Sequence, residues 1–407
     1  MSSRLYADLT QSWSERGGGV RVYLNRKRRF ILERTTDRHL LIIPGASDSV
    51  TEAEDGRAIT VTIRSPKVPG SPNYRLLLRN GAVRRALDRF RPDLIECEDA
   101  YNLPWAALSH RNRHPQTALV ASFMTDFPTA YTKRIGTALG GEWLGRRSSR
   151  IAYRYLANLY RQFDAVIALS RHGGASRLRS IGVEQVHVSP LGVDIDEFSP
   201  DLTDPALRAE AGVAKGAPLL IYVGRLDREK RAQTVVDAFG LLPAALGARL
   251  VLLGAGPLRH QFAALPGVFA PGFIADRALL ARWLASADCY VSGMADETFG
   301  ISVIEAQASG LPVVGVASGA MIDRVPPSLG RLGPVDDPAA MAANIAALLA
   351  NPDLAAIRAA ARSHAASLSW DESMTRLFGE VFPAAFARRQ SSFNARSVVP
   401  ASDATSH

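Results

Sequence analysis

The chain has 407 residues, 47% of them hydrophobic and 21% charged, and carries a formal net charge of +9 at pH 7. This length predicts two or three domains, and the composition is that of an ordinary globular protein. Two cysteines, Cys97 and Cys289, exclude a disulfide framework and fit a reducing cytosol. We expect no signal peptide in Met1–Asp8 and no membrane span, because no apolar run approaches ~18–20 residues.

The positive charge is concentrated in the first half of the chain. Up to Ile195 there are 30 Lys and Arg against 18 Asp and Glu, whereas the remainder has 18 against 21. A basic first half predicts an anionic partner, either nucleic acid or an anionic membrane surface. Basic and aromatic residues are not interleaved and no nucleic-acid-binding motif is present, so we expect no nucleic-acid partner.

The N-terminus predicts a strand, a glycine loop and a helix. The strand ends at Leu9, glycines occupy positions 17–19, and the helix is predicted over Val20–Thr35. Consecutive glycines between a strand and a helix let the backbone approach a ligand closely. The helix carries the basic run Arg26–Arg29, so one of its faces would be strongly basic. Such a helix either lies on an anionic bilayer or presents an ordinary solvated face.

Short apolar or β-branched runs alternate with helical patterns through the rest of the first half. This alternation predicts a parallel sheet with helices on both faces. Ligands bind such sheets beyond the carboxyl ends of the strands, where Thr125–Asp126 and Ser170–His172 follow apolar runs. Ser170 would equally cap a helix, and His172 suits a structural role better than a catalytic one. The predicted strands are Leu40–Pro44, Val61–Ile63, Asp93–Ile95, Ala118–Phe123 and Asp164–Leu169, with helices Asn80–Phe90 and Arg147–Arg161.

A Pro-, Asp- and Gly-rich segment, Pro190–Asp201, predicts an interdomain linker, and a second alternation follows it. Asp194 and Asp196 lie in this linker, and two aspartates in a hinge are weak evidence, so we expect no metal site. Gly254–Pro257 is not a dinucleotide fingerprint, because the third glycine is missing. The tail from Gln390 is rich in Ser, Asn and Ala, which predicts disorder. The predicted strands are Pro218–Val223, Arg249–Leu253, Val268–Phe273 and Ala287–Val291, with helices Ala232–Leu242, Arg277–Ala285, Pro338–Ala350, Asp353–Ser367 and Glu372–Arg388.

The stretch Asp296–Val314 predicts a loop, a helix, a glycine stop and a strand. Glu297 falls in the loop and Glu305 on the second helical turn. The N–H groups of residues 299–301 would be unpaired at the helix start, and together with the helix dipole they favour an anion. Two carboxylates beside an anion site suit a sugar nucleotide. The alternative is an amphipathic helix with two solvated glutamates.

Arg225, Lys230, Glu297 and Glu305 together resemble the motifs of the retaining GT-B glycosyltransferases of family 4, also called glycosyl transferases group 1. The resemblance covers nearly the whole chain, and the order and spacing of its motifs are highly specific. The motifs are Gly17–Gly19, Ser189–Pro200, Val223–Arg225 with Lys230, Gly254–Pro257, Ala287–Asp288, and Glu297–Gly300 through Glu305 to Val314.

The resemblance implies an α/β fold with two Rossmann-like domains that face each other across a cleft. The expected N-terminal domain, on the acceptor side, spans residues 1–193 and includes a helix at about 372–389 that crosses back. The expected C-terminal domain, which binds the nucleotide sugar, spans residues 194–371. A disordered tail is expected over 390–407.

The resemblance also implies roles for individual residues. Arg225 and Lys230 would hold the pyrophosphate and offset the charge that develops on the leaving nucleotide diphosphate, which is the role of a metal in other enzymes. Glu305 would accept hydrogen bonds from the ribose, and Glu297 would contact the donor sugar. Further donor contacts are expected at Phe299, Gly300, Ile301 and Gly319, and from the N-terminal domain at Gly18 and Gly19.

The implied reaction moves a hexose from a UDP- or GDP-sugar to an acceptor hydroxyl of a glycan or a lipid-linked acceptor, with retention of anomeric configuration and without metal or cofactor. One departure concerns the first domain, where the family commonly has a His followed by Thr and Asp. This chain has Met124, which cannot hydrogen-bond a sugar as His does. Asp126 would then supply the polar catalytic contact, or else cap the turn before Pro128.

Two other functions stay open on the same fold. One is a nucleotide-sugar-binding protein without transfer activity, which Met124 favours, and the other is a sugar-nucleotide isomerase or hydrolase. For an enzyme of surface glycan or glycolipid synthesis we expect a cytoplasmic protein that attaches peripherally to the inner face of the plasma membrane. Arg26–Arg29 is the expected contact with the anionic lipid.

Overall fold

The computed structural model describes residues 3–14, 18–68 and 71–397. The chain divides into two compact units. The first unit runs to Leu169 and includes Ala175–Ser189 and the chain from Ser373 onward. The second unit consists of Ser170–Gly174 and Pro190–Glu372. Each unit is an α/β structure built on its own parallel sheet.

The first unit contains a sheet of eight strands among its described residues, in the order β10-β9-β8-β7-β1-β2-β4-β3. All neighbouring pairs are parallel except β3 and β4 at one edge. A two-stranded hairpin, β5-β6, lies apart from this sheet. The strands are β1 (Leu5–Leu9), β2 (Arg38–Gly45), β3 (Ser49–Ala53), β4 (Ala58–Arg64), β5 (Lys67–Val68), β6 (Ser71–Arg75), β7 (Leu94–Cys97), β8 (Ala118–Phe123), β9 (Ala165–Ala168) and β10 (Val186–Val188).

Helices cover this sheet, and its central strands are buried along their whole length, as parallel strands usually are. On one face, Leu9 packs in a buried cluster with helix residues such as Leu87, Ala107 and Leu156. Helix α4 is broken at Gly140 and Gly141, whose backbone angles are not helical. The helices are α1 (Gly19–Arg34), α2 (Asn80–Phe90), α3 (Leu103–Arg113), α4 (Arg134–Tyr160) and α5 (Ser176–Ser180), with π-helical turns at Pro128–Lys133 and Arg171–Ala175.

The other face of the sheet holds a buried ionic network centred on Lys27. The ammonium group of Lys27 lies 2.6 Å from carboxylate oxygens of both Asp8 and Glu96, and all three side chains are at most 2% exposed. Burial disfavours the charge on Lys27, but the adjacent carboxylates outweigh it and raise the pKa of the ammonium group. Tyr23 and Ser122 donate further hydrogen bonds to Glu96. The network therefore joins helix α1 to strands β1, β7 and β8.

A neutral histidine extends this network to the next strand. Arg28 Nε donates to His39 Nδ1 at 2.8 Å, so Nε2 carries the ring proton and donates to Asp8 at 2.5 Å. Burial lowers the pKa of His39, which favours the neutral ring. Arg28 also donates to Thr60 and to the carbonyl of Ile59. The expectation of a strongly basic outer face at Arg26–Arg29 is therefore wrong, since Lys27 and Arg28 form part of the fold.

The second unit contains a sheet of six strands among its described residues, in the order β13-β12-β11-β14-β15-β16. All neighbouring pairs are parallel. Numbered within the unit, this order is 3-2-1-4-5-6, which is the Rossmann order of dinucleotide-binding folds. The strands are β11 (Leu219–Val223), β12 (Arg249–Leu253), β13 (Val268–Gly272), β14 (Cys289–Val291), β15 (Val313–Val316) and β16 (Gly330–Gly333).

Helices flank this sheet, and α7 and α12 contribute Val235 and Ile345 to a core shared with Leu252 of β12. The helices are α6 (Pro205–Glu210), α7 (Ala232–Gly240), α8 (Arg259–Ala263), α9 (Arg277–Ala285), α10 (Ile301–Ala308), α11 (Met321–Arg324), α12 (Pro338–Leu349) and α13 (Leu354–Ala366), with 3₁₀ turns at Pro200–Leu202 and Ala244–Leu246.

The chain returns to the first unit at its C-terminal end. Helix α14 (Trp370–Arg376) leads through a π-helical turn, Leu377–Val381, to α15 (Phe382–Ser397). Tyr6 of β1 stacks on Phe382, with ring centroids 5.3 Å apart. The predicted disordered tail begins too early, because residues 390–397 continue helix α15. Residues 398–407 of that tail lie outside the described part of the chain.

Within the described residues, no single helix is long and apolar enough to cross a membrane. Helices α12 and α13 together have the required length and composition, but they are bent by 105° at the break between them. Helix α12 buries Met341, Ile345 and Leu348 in the core of the second unit.

We expect Lys27→Met to destabilise the protein by about 3–5 kcal/mol, because it leaves two buried carboxylates without a counterion. Arg29→Met on the same helix is the matched control, since Arg29 forms an exposed ion pair with Glu33 and its loss should change little. Urea unfolding followed by circular dichroism measures both. Equal stability of the two variants would contradict a stabilising role for the network.

Candidate functional site

The second unit has a topological switch point between β11 and β14. Strand β11 pairs with β12 on one side and with β14 on the other, so the connections leaving β11 and β14 turn to opposite faces. Open parallel sheets bind ligands in the crevice that forms there, beyond the carboxyl ends of the strands. Arg225 and Lys230 follow β11, and Glu297 follows β14. The strand order therefore brings these three predicted residues to one edge of one sheet.

Lys230 and Glu297 are in direct contact. Lys230 Nζ lies 3.3 Å from Glu297 Oε2, and both side chains are half-buried. The backbone N–H of Lys230 donates to Asp227 Oδ1 at 2.8 Å, which fixes the turn after β11. An ammonium group carries three donors, so Lys230 keeps capacity for an anionic ligand beside Glu297.

Arg225 lies at the same edge but is more exposed, with 55% of its side chain accessible. Its guanidinium group pairs with Asp227 at 2.7 Å and with Glu229 at 2.8 Å. These carboxylates orient the side chain beside the β11 turn. A guanidinium group has five N–H donors, so Arg225 can bind a diphosphate in exchange for one of these exposed pairs.

Helix α10 begins immediately beyond Glu297. Gly300 is the residue before its first turn and has φ 83°, a left-handed conformation that favours glycine. In the described residues, no hydrogen-bond acceptor is found for the backbone N–H groups of Phe299, Gly300 or Ile301. The carbonyl of Phe299 accepts a hydrogen bond from Arg324 Nε at 3.0 Å, and this guanidinium group also lies over the Phe299 ring. The predicted helix start is thus formed, with the N–H groups that an anion would bind. The buried side chain of Arg324 holds Phe299 in place.

Glu305 lies on the second turn of α10 and is 5% exposed. Burial is the main influence on its carboxyl group and raises its pKa to about 7, against the opposing effect of Arg277. Arg277 Nη2 lies 3.1 Å from Glu305 Oε1, and Arg277 Nε donates to Glu197 Oε1 at 2.7 Å. Glu305 is therefore not one of two solvated glutamates, but a buried group that titrates near neutral pH.

Two glycines hold the loop of Glu297 in place. Gly319 has φ 55°, and a Cβ there would lie 2.9 Å from the carbonyl oxygens of Ala295 and Glu297. Its neighbour Ala320 donates its N–H to the Glu297 carbonyl at 3.0 Å. Gly173 lies close to the same carbonyl, because a Cβ at Gly173 would lie 2.8 Å from the Glu297 oxygen. Gly319 was among the predicted donor contacts, whereas the role of Gly173 was missed.

The glycines of Gly254–Pro257 serve close backbone packing at the end of β12. A Cβ at Gly254 would collide with the carbonyl oxygen of Gly224, and one at Gly256 with that of Leu226. The N–H of Leu226 donates to the carbonyl of Ala255 at 2.9 Å. This motif therefore sets the position of the loop that carries Arg225.

The remaining predicted residues, Gly18, Gly19 and Asp126, lie in the first unit. Gly18 has φ 121° and precedes helix α1, which begins at Gly19, while Gly17 lies outside the described residues. Asp126 is buried and accepts a hydrogen bond from Tyr153 at 2.7 Å, with Arg177 3.8 Å away. Its backbone carbonyl accepts from Ala130, and its side chain lies 3.4 Å from the N–H of Thr129. These contacts favour the capping interpretation of Asp126 over a catalytic one.

Two side chains outside the predicted donor contacts support the site, and sequence reasoning missed the first of them. Arg277 begins helix α9, and nothing in its local pattern distinguishes it from a solvated arginine. His172 Nδ1 lies 2.8 Å from Asp323, and its backbone N–H also donates to that carboxylate. This contact agrees with the structural interpretation of His172, which stays a prediction.

Two clusters in the described residues have the side chains to hold a metal ion, and both lie in the first unit. One consists of Asp8, Glu96 and Glu98, where the ammonium group of Lys27 already pairs with two of the carboxylates. The other consists of Asp88, His110 and His114. The predicted donor residues of the second unit belong to neither cluster.

We expect Gly319→Ala to weaken nucleotide binding by about tenfold or more, because the added Cβ would displace the backbone that carries Glu297. Gly240→Ala is the matched control, since its Cβ would meet no atom within 4 Å. Calorimetry with UDP and GDP measures the effect. Unchanged affinity in Gly319→Ala would show that the loop tolerates a side chain there.

Comparisons with known proteins identify the family. Residues 4–197 match the model described as Glycosyltransferase Family 4, and residues 217–351 match the model described as Glycosyl transferases group 1. The chain is 28% identical over 385 residues to a GDP-mannose-dependent alpha-(1-6)-phosphatidylinositol dimannoside mannosyltransferase of Mycobacterium tuberculosis, covering 93% of this chain and 96% of that protein.

Two further proteins extend the comparison. A GDP-mannose-dependent alpha-mannosyltransferase of Mycobacterium tuberculosis is 32% identical over 317 residues, which cover 75% of this chain and 78% of that protein. The fold matches sucrose-phosphate synthase from Thermosynechococcus elongatus with a TM-score of 0.73 at 20% identity, over 95% of this chain and all of that one. The chain therefore belongs to the family 4 glycosyltransferases of the GT-B fold class, and it is a hexosyltransferase that uses a nucleotide-sugar donor.

Proposed function

We propose that this chain transfers mannose from GDP-mannose to a hydroxyl group of a glycan or glycolipid acceptor, with retention of anomeric configuration and without a metal ion. The observation that carries the proposal is the contact between Lys230 and Glu297 at the switch point, beside the unpaired amides at the start of α10. Mannose and guanine are chosen over the other hexoses and over UDP because two relatives are named as GDP-mannose-dependent mannosyltransferases.

In this proposal the cations of the second unit act on the leaving group. As the bond between the anomeric carbon and the diphosphate oxygen breaks, negative charge develops on the diphosphate. Lys230 and Arg225 stabilise that charge, and the half-buried position of Lys230 strengthens its effect. The amides of residues 299–301 and the dipole of α10 add positive potential at the same edge. These groups supply the countercharge that a metal ion gives elsewhere.

The two glutamates orient the donor. Glu297 accepts hydrogen bonds from hydroxyl groups of the sugar, and its ion pair with Lys230 positions its carboxylate next to the diphosphate site. Glu305 accepts hydrogen bonds from the ribose and is held by Arg277. In the proposed step the bond from the anomeric carbon to the diphosphate oxygen breaks, through an oxocarbenium-like state. The acceptor oxygen bonds to the anomeric carbon from the same face and its proton passes to the departing diphosphate oxygen, so the anomeric configuration is retained.

The direct test incubates purified protein with GDP-mannose and a glycolipid acceptor, and assigns the anomeric configuration of the product by NMR. We expect an α-linked product at an undiminished rate in EDTA. Lys230→Ala should lower kcat by about 10²–10³-fold, because one charge-stabilising donor is lost. Lys215→Ala is the matched control, since Lys215 is an exposed lysine of the same unit. A β-linked product, loss of activity in EDTA, or a fully active Lys230→Ala would each contradict a part of the proposal.

The pKa of Glu305 gives the site a pH dependence. A carboxylate accepts two ribose hydrogen bonds, whereas the protonated acid loses one acceptor position, so GDP affinity should fall as pH drops from 8 to 6 through the pKa of about 7. Glu305→Gln should bind GDP weakly at every pH in that range. Glu210→Gln, at an exposed glutamate of the same unit, should keep the wild-type profile.

Protein stability provides a second readout of the same group. A pKa raised from 4.5 to about 7 means that the folded state holds its proton more tightly than the unfolded state. The stabilisation of the folded state by the Glu305 proton is complete below pH 4.5 and is lost as pH rises through 7. Glu305→Gln should therefore gain thermal stability relative to wild type at pH 8. A melting temperature difference that does not change with pH would contradict the raised pKa.

A further inference from the structure

Residues 128–160 of the first unit form a helical hairpin. The π-helical turn Pro128–Lys133 and the first part of α4 make one arm, and α4 beyond Gly141 makes the other. Gly140 and Gly141 leave the helical conformation, and the chain reverses there. Ser148 Oγ donates to the Thr132 carbonyl at 3.1 Å, and the hydroxyl groups of Thr129 and Tyr153 lie 2.8 Å apart, so the arms run antiparallel.

Small residues hold the arms together. A Cβ at Gly136 would lie 3.0 Å from the Cα of Gly145, and one at Gly145 would lie 2.9 Å from the Lys133 carbonyl. Both glycines are buried. Because the arms meet through backbone, the large apolar side chains near the tip are not needed for their packing.

Those apolar side chains are exposed instead. Ile135, Leu139 and Trp143 are 58%, 78% and 65% exposed, and Ile151 on the second arm is 60% exposed. Ile135 and Leu139 are four residues apart on one arm, and Trp143 follows across the glycine turn. Four large apolar side chains exposed on one hairpin are unusual in a protein surface unless a membrane or a partner covers them.

The charge around this tip is positive, which favours an anionic partner. Between Pro128 and Tyr160 the only acidic residue is Glu142, and it pairs with Arg146. The guanidinium group of Arg147 lies 5.6 Å from the Trp143 ring centre. Segments that lie at the boundary between lipid headgroups and acyl chains have this composition, with arginine and lysine next to tryptophan and leucine. The basic residues are Lys133, Arg134, Arg146, Arg147, Arg150 and Arg154.

We propose that this hairpin docks the protein on the surface of an anionic phospholipid bilayer, with Leu139 and Trp143 inserted at the headgroup boundary. The apolar tip supplies buried area and the surrounding arginines supply attraction to anionic lipid. This surface replaces the one expected at Arg26–Arg29, where Lys27 and Arg28 are held inside the fold. The attachment goes beyond the proposed sugar transfer, and vesicle binding tests it without any turnover.

The first test measures co-sedimentation of the full chain with vesicles of phosphatidylcholine, with and without phosphatidylglycerol. Wild type should bind the anionic vesicles, and Leu139→Ser combined with Trp143→Ser should bind about tenfold or more weakly. Phe273→Ser is the matched control, because Phe273 is 73% exposed but lies in the second unit. Equal binding by the hairpin variant, or no binding by wild type, would overturn the proposal.

The second test addresses the charges. Replacing Arg146, Arg147 and Arg150 together by Glu should abolish binding, whereas Arg84→Glu with Arg85→Glu on helix α2 should leave most of it. Increasing salt should weaken wild-type binding. If Arg29→Glu removes binding while the hairpin variants retain it, α1 is the membrane surface and the hairpin is not.

Folding and self-association are checked on the same samples. Circular dichroism and GDP calorimetry should show that the hairpin variants keep the wild-type fold and donor site. Size-exclusion chromatography with light scattering should show a monomer. A dimer that the Leu139 and Trp143 substitutions dissociate would assign the tip to a second copy of the chain and overturn membrane docking.

Discussion

The strand order of the second unit is the constraint on which its site depends. Because β14 lies next to β11, the turn after β11 and the loop after β14 end at the same edge of the sheet. Lys230 and Glu297 are 67 positions apart in the chain, yet this adjacency brings them to 3.3 Å. Neither residue has a distinctive local pattern. Their chemistry comes from a topology that places a cation, a carboxylate and a helix start around one crevice.

Close backbone packing then fixes the site more finely than hydrogen bonds alone. Gly254 and Gly256 let the loops after β11 and β12 touch, and Gly319 and Gly173 let two segments meet the carbonyl of Glu297. Any side chain at these positions would separate the loops. The glycines therefore act as spacers of minimal size, and the charged residues depend on them for position.

Much of this architecture was predictable from periodicity. The strands Ala118–Phe123 and Arg249–Leu253 and the helices Asn80–Phe90 and Arg277–Ala285 have their predicted bounds, because apolar runs and stop signals coincide there. The short strand β16 was missed, since Gly330–Gly333 carries no β-branched residue. The helix between Glu297 and Gly310 was predicted correctly, because Gly300 before it and the apolar residues within it are signals in the local sequence.

Burial and long-range partners were not predictable. The run Arg26–Arg29 looked like a basic surface, but Lys27 contacts Asp8 and Glu96 on two strands of the sheet. Sequence spacing does not reveal these contacts. Asp126 has a partner that its spacing did not predict, since Tyr153 donates a hydrogen bond to its carboxylate. Arg277 gives no signal of its own and acquires a role only beside Glu305. In each case the deciding partner is on another element.

The aromatic contacts of the terminal helix have a consequence for how the protein is made. Tyr6 lies on strand β1, yet its ring packs against Phe378 and Phe382, which are synthesised after the whole sheet of the second unit. On the ribosome, the first unit emerges without these partners, so the ring of Tyr6 lacks the contacts of Phe378 and Phe382. The second unit has its whole sheet within one continuous segment and can fold as soon as that segment emerges. A segment made after the second unit's sheet therefore completes the first unit, and a chain that stops before this segment would leave the first unit incomplete rather than the second.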